Sequence, residues 1–158
     1  MNRIDRRVLI GLGSLWVLAG CGGGARPGES TRARRDLYPN ETPQLRALIE
    51  RYADRYDVPV DLVQRVIVRE STHNPAARNG PYYGLMQIHP RTARTMGYRG
   101  PPEGLLDAET NLKYAVKYLR GAWIVADGDR DAAVKWYARG YYYEAKRLGL
   151  LQKTGLRR

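Results

Sequence analysis

The spacing of apolar residues after position 42 predicts a succession of short α-helices. The first begins at Thr42-Pro43, a capping residue followed by a proline at the first helical position. Its apolar residues recur every three or four positions and therefore share one face: Leu45, Leu48, Ile49, Tyr52 and Tyr56. The same spacing predicts further helices over 60–71, 90–96, 108–123, 132–140 and 142–149. Asp107 is the predicted cap of the helix over 108–123.

Glycine and proline divide these helices with two long loops. The loop over 72–89 is rich in both residues, and we expect a minor β-hairpin near 84–88. A second loop, around 101–104, contains two prolines and a glycine. The pattern therefore predicts an all-α fold, mainly α with long loops and a minor β-hairpin.

The first twenty residues predict export. Three arginines, at positions 3, 6 and 7, precede an apolar stretch over 8–20, which is shorter than the ~20 residues of a membrane-spanning helix but typical of a secretory signal. The stretch ends in Leu18-Ala19-Gly20-Cys21, which resembles the lipobox of bacterial lipoproteins and predicts a lipid-modified Cys21. The alternatives are a plain signal peptide with an incidental cysteine and a twin-arginine signal.

Composition divides the chain into four parts and limits its chemistry. We expect a signal peptide over 1–20, a flexible tether over 21–42, a folded domain over 43–150 and a frayed basic tail over 151–158. One cysteine excludes an intrachain disulfide, and with only two histidines we expect no metal site and no cofactor.

The charge of the chain predicts anionic partners. There are 27 basic and 16 acidic residues, a net charge of +11. Removing the signal, with its three arginines and one aspartate, leaves 24 and 15, a net charge of +9. An exported protein meets the cell wall and lipid surfaces, so we expect these partners and no nucleic acid.

Glu70 continues the apolar stripe of the second helix. The stripe consists of Leu62, Val63, Val66 and Ile67. Glu70 lies four residues after Val66 and three after Ile67. Gln64, Arg65 and Arg69 lie on the opposite face. Burial disfavours the charged form of a carboxyl, so the Glu70 pKa should rise toward the range of a general acid. The alternative is a helix-end glutamate paired with a neighbouring arginine and without catalytic function.

Three sequence blocks resemble a known enzyme family. They are Glu70-Ser71, the Gly-Leu-Met-Gln-Ile stretch over 84–88, and Pro90-Arg91-Thr92-Ala93, with Asn74-Pro75 between the first two. Together they resemble the lytic transglycosylases of the soluble (SLT) type, which have a lysozyme-like fold and cleave the glycan strands of peptidoglycan. The resemblance covers about 45–148 and extends to Asn111, to Tyr118-Leu119 and to the stretch over 136–140.

The chain departs from the family pattern at two positions. Ala138 stands where the last motif, Ala-Tyr-Asn-x-Gly, has its asparagine. Asn79 stands where the loop after the glutamate commonly has a serine. Both departures concern contacts with substrate, and neither removes the acid.

The resemblance implies a mechanism with one carboxyl group. Glu70 would protonate the MurNAc-β-1,4-GlcNAc oxygen and then, as a base, take the proton of the sugar 6-hydroxyl, which closes a 1,6-anhydro ring. No second acid falls in a motif block, although most glycosidases use two. Gln87 would bind a sugar amide or hydroxyl, Met86 would form an apolar wall, and Gly84 would let the backbone approach the ligand.

Other residues are expected near the substrate. Tyr137 would orient Glu70 through a hydrogen bond, and Ser71 and Asn79 would support the site. Aromatic rings stack on sugars, so several tyrosines are candidates for the cleft: Tyr82, Tyr83, Tyr141, Tyr142 and Tyr143. We interpret His73 and His89 as loop structure.

Two other functions remain open from the sequence. A muramidase-type hydrolase would use the same glutamate with water as the acceptor. A non-catalytic peptidoglycan-binding lipoprotein would explain the departures at Ala138 and Asn79, although it gains nothing from a buried acid. Gly22, rather than aspartate, follows Cys21, which resembles lipoproteins of the outer membrane and predicts a periplasmic protein anchored there.

Overall fold

The computed structural model describes residues 36–157, which form a mainly helical domain. The signal peptide, Cys21 and the tether as far as residue 35 lie outside the described residues. The elements in chain order are α1 (Pro43–Arg55), α2 (Val60–Glu70), β1 (Arg78–Asn79), β2 (Tyr82–Tyr83), α3 (Pro90–Thr95), a 3₁₀ helix (Pro102–Leu106), α4 (Ala108–Val125), α5 (Arg130–Arg139) and α6 (Tyr142–Arg147).

Capping side chains start the helices where the sequence predicts. Thr42 Oγ1 accepts a hydrogen bond from Leu45 N at 3.1 Å, and Pro43 occupies the first turn of α1. The carboxylate of Asp107 accepts one from Thr110 N at 2.8 Å and starts α4. These two predictions are confirmed.

The long helix α4 is the centre of the domain. Its buried side chains follow a helical period, and α1, α3, α5 and the 3₁₀ helix pack around it. The buried residues of α4 are Asn111, Leu112, Ala115, Val116, Leu119, Gly121, Ala122 and Val125. Across the residues 36–157, no helix is both long enough and apolar enough to span a bilayer.

The hairpin lies earlier in the chain than predicted. Arg78 pairs with Tyr83 and Asn79 with Tyr82, so the antiparallel turn falls at 80–81 and not within 84–88. The stretch over 84–88 is instead a compact turn, closed where Tyr83 pairs with Ile88. The second predicted loop also differs, because residues 102–106 form a 3₁₀ helix.

Residues 36–42, predicted as the end of the tether, lie against the folded domain. Glu41 has a side chain with no solvent exposure and is bound by Arg46 through Nε to Oε1 at 2.7 Å and Nη2 to Oε2 at 2.6 Å. Gln64 Nε2 donates to Glu41 Oε1 at 2.7 Å. Gln64, placed on the exposed side of α2 from the sequence, is therefore buried and links α2 to the segment.

His73 completes this network from the loop after α2. Its Nε2 donates to Gln64 Oε1 at 2.6 Å, and its ring stacks on Tyr38 with centroids 5.1 Å apart. Asn40 Nδ2 donates to the Thr72 carbonyl at 3.1 Å. Burial lowers the pKa of His73. The histidine therefore has a structural role, as expected, but the ring that stacks on it, Tyr38, comes from residues assigned to the tether.

The predicted C-terminal tail also packs against the domain. Leu150, Leu151 and Leu156 contact the hydrophobic core. Thr154 is buried, and its hydroxyl donates to the Leu150 carbonyl at 2.9 Å. Residues 151–157 are therefore not frayed, because their leucines cover apolar surface that the helices leave open.

Candidate active site

Glu70 is the last residue of α2, and it lines a cavity at the surface of the domain. The apolar stripe of α2 turns toward the core, so the next position on that face brings the carboxyl partly out of water. Its side chain is 23% exposed, and the nearest cation is Arg69, whose Nε lies 3.6 Å from Oε1. Burial raises the pKa of Glu70 and the Arg69 charge lowers it, with burial the larger effect. A carboxyl in this setting suits a general acid.

The cavity has a volume of about 580 Å³ and lies between α2, the hairpin, α3 and the end of α5. Its lining is mostly polar and contains several aromatic rings. The lining residues are Arg69, Glu70, Asn79, Tyr82, Gln87, Ile88, His89, Arg91, Thr92, Tyr118, Tyr137, Ala138, Arg139 and Gly140. Five of the predicted site residues therefore meet there: Glu70, Asn79, Tyr82, Gln87 and Tyr137.

Glu70 is the only carboxylate among these lining residues. Within residues 36–157, no group of three His, Cys, Asp or Glu side chains is arranged to hold a metal ion. Among the described residues, the lining therefore offers one carboxyl group as a candidate for proton transfer.

The turn over 84–87 is held by Asn111 of α4. The Asn111 side chain accepts from Met86 N at 3.0 Å and donates to the carbonyls of Tyr83 and Leu105, each at 2.8 Å. Gly84 has φ of +73°, and a Cβ there would collide with the Asn111 amide and the Leu105 carbonyl. The glycine thus allows close approach of the protein's own α4 and 3₁₀ helix, not of a ligand as the sequence suggested.

Gln87 lines the cavity and has one side-chain atom without a hydrogen-bond partner. Its Nε2 donates to the carbonyls of Ala77 at 3.0 Å and Gly84 at 2.8 Å. Its Oε1 is buried without a hydrogen-bond partner in the described part of the chain. A buried acceptor without a partner is costly, so this atom is suited to a ligand donor. The amide group predicted to donate to substrate is therefore already bound to the protein, and the oxygen alone is without a partner.

Tyr137 supports the same turn from α5. Its hydroxyl donates to the Met86 carbonyl at 2.8 Å, and the predicted hydrogen bond to Glu70 is absent. Burial and then the Glu70 charge raise the pKa of Tyr137 well above its ordinary value, so the hydroxyl stays protonated. Tyr118 stacks edge-on against Tyr137 with ring centroids 5.5 Å apart and also lines the cavity.

The other predicted residues lie behind the cavity wall. Ser71 donates through its hydroxyl to the Leu85 carbonyl at 2.7 Å and so joins α2 to the turn. Met86 is fully buried and Tyr83 is 6% exposed, so neither presents a surface to a ligand. These residues shape the turn that carries Gln87 and do not themselves reach the cavity. Among the tyrosines proposed for the cleft, Tyr141, Tyr142 and Tyr143 are also absent from its lining.

Several lining residues were not predicted from the sequence as site residues. His89 Nδ1 accepts from Arg91 N at 3.0 Å and caps α3, while its ring packs edge-on against Tyr82. Arg91 lies in one of the sequence blocks that carry the resemblance, but nothing in the sequence marks its side chain as part of a site. Arg69 and Arg139 carried no signal, because a cation at the end of a helix is common.

Comparison with protein families identifies one domain in the chain. The model of the family described as "Transglycosylase SLT domain" matches residues 47–152, which include Glu70 and every residue that lines the cavity. No solved structure matches the chain.

Proposed function

Because the chain belongs to the SLT transglycosylase family, of the lysozyme-like superfamily, and so acts on peptidoglycan as a lytic transglycosylase, we propose that it cleaves the MurNAc-β-1,4-GlcNAc bond and leaves 1,6-anhydro-MurNAc ends. The proposal assigns both proton transfers to Glu70. It is supported chiefly by one observation: the cavity lining has a single carboxyl group, and burial raises the pKa of that group.

The first step requires a protonated Glu70. Its proton passes to the glycosidic oxygen, the C1–O bond of MurNAc breaks, and GlcNAc leaves with a free 4-hydroxyl. The positive charge that develops on MurNAc is stabilised by the sugar's own N-acetyl group. Burial of Glu70 favours the protonated form that this step consumes.

The second step uses the carboxylate that the first step leaves. Glu70 takes the proton of the MurNAc 6-hydroxyl while O6 forms a bond to C1, so no water is consumed and the acid is regenerated. The ring closure is intramolecular and benefits from proximity. The Arg69 guanidinium, 3.6 Å from Oε1, stabilises the ionised glutamate between the two steps.

Two side chains in the lining are suited to position the sugar. The free Oε1 of Gln87 accepts a hydrogen bond from a sugar amide or hydroxyl, which would remove the cost of leaving it unpaired. Tyr82, at 46% exposure, offers a ring face at the rim on which a pyranose can stack. Ala138 contributes no polar atom at the position where the family has asparagine.

Product analysis of digested peptidoglycan tests the proposal. Purified peptidoglycan is treated with residues 22–158, with the Glu70→Gln variant, or with Glu103→Gln as a matched control, since Glu103 is exposed and outside the cavity. Mass spectrometry should detect anhydro ends with the wild-type and control proteins and none with Glu70→Gln.

The other outcomes distinguish the alternative functions. Reducing ends in place of anhydro ends would make the protein a muramidase-type hydrolase with the same glutamate. If no product forms while the protein still sediments with peptidoglycan, the protein is a binding lipoprotein, and the loss of the asparagine at Ala138 is the first change to reverse.

We also propose that Cys21 is lipid-modified and anchors the protein in the periplasm, at the outer membrane. The lipid anchor is supported by the Leu-Ala-Gly-Cys sequence at the end of the apolar stretch, and the outer membrane by Gly22, which follows Cys21 in place of aspartate. In a Gram-negative host, an alkyne-labelled fatty acid should label the full-length chain and fail to label Cys21→Ser, which should leave the membrane fraction. Labelling that persists in Cys21→Ser, or a mature N terminus other than Cys21, would contradict it.

A further inference from the structure

The rim of the active-site cavity is strongly cationic. Arg69, Arg91 and Arg139 line the cavity, and Glu70 is the only acid in that lining. The local charge is therefore +2 when Glu70 is ionised and +3 when it carries the proton that it donates. An anionic group close to the cleavage site would be attracted in both states.

Two of these three arginines have no carboxylate partner among the described residues. Six others form ion pairs with carboxylates: Arg46, Arg51, Arg65, Arg120, Arg130 and Arg147. In the described part of the chain, Arg91 and Arg139 have no carboxylate within 4.0 Å, and Arg69 has only Glu70. Within residues 36–157, five arginines outside the cavity are also unpaired, so what distinguishes Arg91 and Arg139 is that their free guanidinium groups belong to the cavity lining.

The arginines approach the cavity from three helices. Arg69 precedes Glu70 at the end of α2, Arg91 lies in the first turn of α3, and Arg139 ends α5. Arg139 is also held in place, since its Cζ lies 3.8 Å from the centroid of the Trp136 ring. All three residues are exposed, so a ligand in the cavity can reach them from solvent.

We propose that Arg91 and Arg139, with Arg69, bind carboxylates of the stem peptides that branch from the glycan strand. This proposal rests on the proposed function. The amino sugars of the glycan chain are neutral, whereas the peptide attached to the lactyl group of MurNAc carries free carboxylates. A planar guanidinium binds a carboxylate through two parallel hydrogen bonds. The site would therefore select strands that still bear peptides, and these arginines would determine that specificity.

Three substrates show which carboxylate of the strand the arginines bind. The first is a soluble glycan strand with its stem peptides, and the second is the same strand with its carboxyl groups chemically amidated. The third has lost its peptides to an amidase, which leaves the lactyl carboxylate directly on MurNAc. Binding of each is measured at one fixed ionic strength with the Glu70→Gln variant, so that the strands stay intact, and cleavage is measured with the wild-type glutamate.

Substitutions of two rim arginines test the assignment. Arg91→Gln and Arg139→Gln should each weaken binding of peptide-bearing strands about fivefold, and the double variant about twentyfold. Binding of amidated strands should not change. The matched controls Arg94→Gln on α3 and Lys135→Gln on α5 remove the same charge outside the cavity and should change binding less than about twofold. Arg69 is left unchanged, because its charge affects the Glu70 pKa.

Three results would overturn the proposal. The first is that peptide-bearing and amidated strands bind equally well, and the second is that the control variants lose as much binding as the rim variants. The third is that denuded strands bind as well as peptide-bearing strands, which would assign the arginines to the lactyl carboxylate. Failure of the proposed function gives a different result: the wild-type protein would cleave none of the three strands, and the binding series would still decide what the arginines recognise.

Discussion

Neutralising Glu41 should destabilise the domain at neutral pH. Burial raises the pKa of this carboxyl, but hydrogen bonds from Arg46, Gln64 and the Tyr38 amide, together with the Arg46 charge, outweigh burial and bring the pKa from 4.5 to about 2. Each tenfold change in proton affinity is worth about 1.4 kcal/mol, so the difference corresponds to about 3 kcal/mol of stability at pH 7. Water screens part of the attraction, because the Arg46 side chain stays 25% exposed. We therefore expect Glu41→Gln to lower the free energy of unfolding by about 2 kcal/mol.

The pH dependence of this loss gives a sharper test. A carboxyl with a lowered pKa stabilises the folded state above its unfolded pKa, and the stabilisation is lost as pH falls from 4.5 toward about 2. The difference between wild type and Glu41→Gln should therefore be constant from pH 7 to 5.5 and fall to roughly half at pH 3. Urea denaturation at each pH measures it, with Glu103→Gln as the exposed control. A difference below about 0.5 kcal/mol at pH 7, or one that is equal at pH 7 and pH 3, would refute the reasoning.

Three further predictions concern the active site. Gly84→Ala should cost about 2–4 kcal/mol in urea denaturation, since φ is positive and the new Cβ meets the Asn111 amide; a loss below 1 kcal/mol would mean that the turn can move. Tyr137→Phe removes one hydrogen bond to a backbone carbonyl, so it should lower the free energy of unfolding by about 1 kcal/mol and keep most of the cleavage rate. A large loss of kcat would instead indicate that Tyr137 orients Glu70. In a profile of kcat/KM against pH, cleavage should decline on the alkaline side as Glu70 ionises, with a midpoint above 4.5. Arg69→Gln should move that midpoint to higher pH, because the Arg69 charge lowers the Glu70 pKa. A shift to lower pH would contradict the assignment of Glu70 as the acid.

The periodicity of the sequence was sufficient to predict the helices and to single out one glutamate. Thr42 and Asp107 carry local capping signals, and both start helices in the structure. Glu70 was identified because a carboxyl followed an apolar stripe at helical spacing, and the structure places it at the edge of the core, facing the cavity. Its catalytic role stays a prediction, since burial and pKa describe its suitability as an acid and not its action.

Contacts between distant residues account for what the sequence did not predict. Glu41 looked like part of a solvated tether, because its partners Gln64 and His73 lie 23 and 32 residues further along the chain. Gly84 looked like a ligand contact, because the Asn111 amide that it accommodates is 27 residues away. A charge or a glycine can be assigned a role only when its neighbours in space are known.

If Cys21 carries a lipid, as we propose, the packing of residues 36–42 onto the domain limits how far the cleavage site can lie from the membrane. Cys21 and Asp36 are fifteen residues apart, a separation that spans at most about 50 Å when fully extended. Had the chain remained free as far as Thr42, six more residues would have added about 20 Å to that limit. With a lipid at Cys21, the cleavage site would reach only the layer of cell wall nearest the bilayer. Lengthening the chain before Asp36 should allow the cleavage site to reach glycan strands farther from the bilayer.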